Sequence, residues 1–176
     1  MAIVINGSGT LTGLAVGGLP DGTVDSDTLA SGTVPILQTA TSNIGIGTNA
    51  TSAITTGDDN IGFGYRAVST TNSGIENIGI GSDALRLNTT GNYNTAVGKN
   101  ALTANTTAGG NTAIGRWALA ANTTGYSNIA VGQDTLATNS EGYHNVAVGN
   151  SALGQNTTAD YNVAVGSSAL QANTTG

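Results

Sequence analysis

Asn recurs at 43, 60, 77, 94, 111, 128, 145 and 162, and every step is seventeen residues. Four residues after each Asn stands a Gly, so the eight openings read NIGIG, NIGFG, NIGIG, NTAVG, NTAIG, NIAVG, NVAVG and NVAVG. Two variable, mostly polar residues follow, and then an Ala-Leu pair at Ala84-Leu85, Ala101-Leu102, Ala118-Leu119, Ala152-Leu153 and Ala169-Leu170. The pair becomes Ala50-Thr51 and Ala67-Val68 in the first two units and Thr135-Leu136 in the sixth. An NTT tract follows in five units, at Asn88, Asn105, Asn122, Asn156 and Asn173, and no insertion breaks the register. A period this strict dominates every local propensity, because one conformation must stack on copies of itself.

Seventeen residues are too few for the helix pair of the usual repeat families, and no heptad seam is present. The opening pentamer alternates instead: its third residue is Gly or Ala, and its fourth is Ile, Val or Phe. That is a short strand, and the Gly that ends it permits the positive φ of a tight bend. The unit is therefore expected to run strand, bend, strand, bend, as one coil of an all-β solenoid (a β-roll) over residues 43–176, with the eighth coil incomplete.

Coils stacked about 4.8 Å apart would make a rod roughly 38 Å long. The Asn column from 43 to 162 becomes an amide ladder. The Val/Ile column (46, 63, 80, 97, 114, 131, 148, 165) and the Leu column become apolar stripes, while the small third residue lets another backbone approach. Gln133-Asp134 is an expected exposed bend that should accept an inserted residue, which the strand Asn128 to Gly132 should not. A terminal coil exposes an edge, and no cap is legible. Alternating small and large residues suit a coil packed inward on itself and sideways on sister chains, so a homotrimer is expected.

Composition narrows function. The chain has ten acidic residues against four Lys or Arg, a net charge of −6, which opposes the counterion release that nucleic-acid binding needs. No cysteine is present, so disulfides and thiolate metal sites are excluded. The start, MAIVINGSGTLTGL, lacks the basic and apolar regions of a signal peptide, and no stretch suits membrane insertion.

Residues 1–42 differ in character. They hold both prolines (Pro20, Pro35), three Asp and no Lys or Arg. Leu19-Pro20-Asp21-Gly22-Thr23-Val24 is echoed by Leu29-Ala30-Ser31-Gly32-Thr33-Val34. An extended, turn-rich segment is expected, with a short strand at Ile3-Val4-Ile5.

No constellation for catalysis stands out. His144, the only histidine, falls in a variable turn beside Glu141, and Asp58-Asp59 are neighbours whose side chains diverge. No catalytic, cofactor-binding or metal-binding residue is assigned, and the chain is not expected to be an enzyme. Asp21, Asp25 and Asp27 read better as a solvated acidic loop than as a calcium site, since neither the calcium nonapeptide nor an EF-hand loop is present. NTAVGK, ending at Lys99, reads as a bend rather than a phosphate loop. The NTT tracts match glycosylation acceptors, but their period favours ladder residues. A flat Thr face for ice is disfavoured because adjacent threonines point to opposite sides. Tyr93, Tyr126, Tyr143 and Tyr161 precede the next opening Asn. They either cover coil edges, the favoured reading, or form a sparse carbohydrate-contacting strip, with Tyr126 and Tyr143 stacked. Trp117 is too isolated to assign.

The NxAVGxxAL units resemble the head repeats of trimeric autotransporter adhesins, and with the NTTG tail they are similar to repeats of bacteriophage tail fibres. The resemblance covers residues 43–176. It implies a trimeric virion fibre shaft, with residues 1–42 similar to the segments that attach fibres to a virion tail or capsid protein, and a distal end that meets a host receptor. The expected location is the virion, after assembly in the host cytoplasm. The alternative is an adhesin-like module whose shaft binds host surface glycans.

Overall fold

The computed structural model describes residues 37–38, 42–70 and 73–174. The strand expected at Ile3-Val4-Ile5, the Asp21, Asp25 and Asp27 group, and the rest of the 1–42 segment apart from residues 37–38 and 42 lie outside them.

The chain is an all-β solenoid. Strand β1 (Leu37–Gln38) is followed by eight strands of three residues each: β2 (Ile44–Ile46), β3 (Ile61–Phe63), β4 (Ile78–Ile80), β5 (Thr95–Val97), β6 (Thr112–Ile114), β7 (Ile129–Val131), β8 (Val146–Val148) and β9 (Val163–Val165). They form one sheet in sequence order. From β2 onward each pairing is parallel and offset by one repeat, as in Ile44 with Ile61 and Ile61 with Ile78. Strand β1 alone is antiparallel, with Leu37 opposite Gly45 and Gln38 opposite Ile44. The first coil's strand edge is thus covered from within the 1–42 segment, where no cap was expected.

One further expectation needs correction, and two others gain detail. First, a coil holds one strand and not two. The ninth residue of the repeat has left-handed backbone in every coil, with φ between 49° and 52° from Thr51 to Leu170. It makes a corner. Such geometry costs a non-glycine residue on the order of 1–2 kcal/mol and persists only where surrounding contacts over-determine it. Here the next coil does so: Leu85 N donates to Ala101 O and Leu102 N to Ala118 O, each at 3.0 Å.

Second, the expected apolar stripe from Ile46 to Val165 forms, and it lies on the outer face of the strands. In each strand the small middle residue is buried, while its large neighbours face outward. The interior is too narrow for the reverse: a Cβ on Gly79 would sit 3.1 Å from Ala84 O in the facing corner. The core is instead one column of Val68, Leu85, Leu102, Leu119, Leu136 and Leu153, flanked by alanines and asparagines.

Third, the bend at Gln133-Asp134 is tied on both sides. Asp134 N donates to Arg116 O at 3.0 Å, and Gln133 O accepts from Ser151 N at 2.9 Å. Gln133 is exposed, as expected of this bend, and an inserted residue there would have to accommodate these two bonds.

Candidate functional site

Two asparagine columns line the interior, and they settle the NTT question. The opening Asn accepts from the backbone of its successor, as in Asn128 N to Asn111 Oδ1 at 2.9 Å, and donates to a carbonyl further round its own coil, as in Asn111 Nδ2 to Gly125 O at 2.9 Å. The NTT asparagines form a second ladder: Asn105 Nδ2 to Asn88 Oδ1 at 2.8 Å and Asn122 Nδ2 to Asn105 Oδ1 at 3.1 Å. Both columns converge on one acceptor, since Asn122 Nδ2 also reaches Gly125 O at 2.7 Å. Asn88, Asn105, Asn122 and Asn156 are fully buried, so in the folded stack they are structural and not glycan acceptors. Asn139 extends this ladder although its tract reads NSE, a member that matching the NTT letters misses. In the tracts at Asn88, Asn105, Asn122 and Asn156 the first Thr also bonds the next coil, as Thr89 Oγ1 does to Thr106 O. The second Thr of each of these is exposed.

The sites weighed for chemistry remain apart. Asp58 and Asp59 are exposed neighbours, with Asp59 N donating to Asp58 Oδ1. Gly98, before Lys99, has φ 133° in a bend, and no helix follows it. Among the described residues no group of three or more His, Asp or Glu gathers as a metal site would require, and no helix is long and apolar enough to cross a membrane.

On the outer surface three features differ from the rest. The first is the strand face. The second and fourth residues of the pentamers project outward, and all are Ile, Val or Phe except Thr95 and Thr112. Ile44, Ile61, Phe63, Ile80, Ile114 and Ile129 are each more than a third exposed. No charge interrupts these two columns.

The second is a corner just before the opening Asn. Tyr126 and Tyr143 stack with centroids 4.8 Å apart and planes 3° from parallel, as their spacing predicted. His144 and Tyr161 stack at 5.2 Å and 19°. Tyr143 meets His144 and Tyr161 edge-on, at 77° and 79°. His144, expected as a solvent-exposed turn residue, is exposed and is also part of a four-ring cluster. The signal for it was available, because His144 and Tyr161 are also one repeat apart. Hydrogen bonding to Asp160 and that carboxylate's charge hold the Tyr143 phenol above its ordinary pKa.

The third is a shallow dish where Trp117 lies beside Ala120, Ala121 and Ala137 between Arg116 and Asp134. Its two charges approach to 3.9 Å. A second ion pair, Arg66 to Asp83 at 2.7 Å, bridges successive coils nearby.

No family model, curated protein or solved structure matches the chain.

Proposed function

We propose that the chain is the shaft of a homotrimeric virion fibre, a phage tail fibre or spike that attaches to a tail or capsid protein through residues 1–42 and projects a receptor-binding end. Its role is mechanical, holding one end of the fibre away from the particle, and it involves no catalysis.

The uncharged apolar strand face carries this reading. Two side-chain columns running eight coils cover a strip roughly 38 Å long and on the order of 400 Å² in area, the size at which an exposed apolar patch marks an interaction site. The solvent-facing side of a sheet is normally polar, giving strands their in–out alternation. Here both faces are apolar, so a partner covers the outer one. A sister chain suits it: its columns have the same repeat, so side chains interdigitate along the whole strip. Three copies around a threefold axis close the contact and leave no strip in water.

The test is the solution mass of the full chain by light scattering. Three times 17.2 kDa is the expected result, and a monodisperse monomer would overturn the trimeric shaft. The glycan-binding alternative rests on a different feature, the aromatic corner.

A further inference from the structure

Four rings project from one corner of the stack, at the sixteenth and seventeenth residues of their repeats. Rings that only sealed coil edges would be largely buried. Tyr126 is instead 44% exposed and Tyr161 69% exposed, and the rings are held chiefly by one another. The two parallel pairs stand perpendicular, so the cluster is a stepped aromatic surface. Tyrosines have few rotatable bonds, so little entropy is lost when a ligand docks on them.

The charge around this corner is one-sided. Asp160 lies against the cluster, its Oδ1 accepting from Tyr143 N at 2.9 Å, and Glu141 stands two residues before Tyr143. All four Lys and Arg (Arg66, Arg86, Lys99 and Arg116) fall between the sixth and tenth residues of their repeats. No cation stands at the corner.

We infer that Tyr126, Tyr143, His144 and Tyr161, with Asp160 and Glu141, form a lateral binding platform for a neutral or amino-substituted pyranose glycan. A pyranose carries C–H bonds on its faces and hydroxyls around its rim. The faces pack on the tyrosine rings while the rim donates to the carboxylates. The phenols add both donors and acceptors, the mixture of apolar wall and few polar groups that small-ligand sites use. An amino group on the sugar gains further from the ring faces and the carboxylates. Sulfated, phosphorylated or sialylated glycans meet like charge and are excluded. The platform is independent of chain number, so its failure and that of the trimeric shaft are separate outcomes.

The experiment titrates the full chain with maltotriose, cellotriose, tri-N-acetylglucosamine and triglucosamine, following tyrosine and His144 ring signals by NMR. Sialyllactose and tetramethylammonium chloride serve as the anionic and cation-only probes. At least one neutral or amino trisaccharide should shift these signals saturably. Tyr161→Ala and Asp160→Asn should each weaken that binding severalfold, and Tyr143→Ala with Tyr161→Ala at least tenfold. Trp117→Ala should leave it unchanged, and thermal melting confirms that each variant keeps its stack. The proposal is overturned if no trisaccharide shifts the rings, or if the Tyr variants bind as the parent does. It is equally overturned if sialyllactose binds best. Shifts produced by tetramethylammonium and by no sugar would mean a cation cage instead.

Discussion

At the scale of single residues, the third and ninth positions of the repeat are chosen together. Where the ninth residue is β-branched, the third residue of the next coil is Gly: Thr51 precedes Gly62 and Val68 precedes Gly79. Where it is Leu, the next coil has Ala, as with Leu85 and Ala96. A Cβ on Gly79 would lie 2.6 Å from Val68 Cγ2, a methyl that Leu lacks. Gly79→Ala alone is therefore expected to destabilise by about 1–3 kcal/mol, the usual cost of overpacking. In a Val68→Leu background it should be close to neutral, and urea unfolding of the four-member mutant cycle reads the coupling. A second residue-level prediction concerns pH. The Tyr143 phenol is raised above its ordinary value by Asp160, so its neutral form is favoured in the folded chain. That contribution is complete below the unfolded tyrosine pKa of about 10 and disappears as pH rises through the folded value. Asp160→Asn should move the tyrosinate absorbance titration to lower pH, and identical curves would remove Asp160 as the cause.

At the scale of the coil, the elements are held by their polar interior as much as by their apolar one. Each coil contributes about one Leu and a few alanines to the core, and buried amides complete it. Asn111→Ala would take the acceptor from Asn128 N and one of two donors from Gly125 O. With roughly 1–3 kcal/mol for each buried polar group left unsatisfied, the expected loss is about 3 kcal/mol. Chemical denaturation measures it, and a loss under about 1 kcal/mol would mean that the ladder is incidental. The spacing of Asn43 to Asn162 made this ladder legible without coordinates. The left-handed corners were not legible. Leu, Val and Thr disfavour positive φ, and the hydrogen bonds of neighbouring coils, with core burial of the side chains, hold Val68 and Leu85 there.

For the solenoid as a whole, the outer strand face is where the proposed trimer would close. Ile80 and Ile114 are each 41% exposed and lie at the fourth residue of their pentamers, clear of the core. Ile80→Lys should leave circular dichroism and the stack unchanged. In a trimer closed through this face it would bury three lysines, and a buried unpaired charge is prohibitive. The expected outcome is a fall in mass by light scattering from trimer to monomer. An unchanged trimer would move the interface elsewhere. The aromatic corner and the paired charges around Arg66 and Arg116 occupy other parts of the coil, so the proposed association face, the proposed ligand platform and the charges fall at separate positions of the repeat.

A period of seventeen, a β-branched pentamer and a glycine in the bend were sufficient to determine the solenoid, its parallel register and its amide ladder. These follow from repetition alone, since identical units stacked by backbone hydrogen bonds must align like residues. Which face of each strand turns inward was a tertiary decision. Alternation shows that two faces exist, but both are apolar in this chain, and only the narrow gap to the Ala-Leu corner selects the small residue for the core. The four-ring corner was half visible, in the spacing of Tyr126 and Tyr143. His144 and Tyr161 share that spacing, but the edge-on meeting of the two stacks required the turn that sets neighbouring columns side by side.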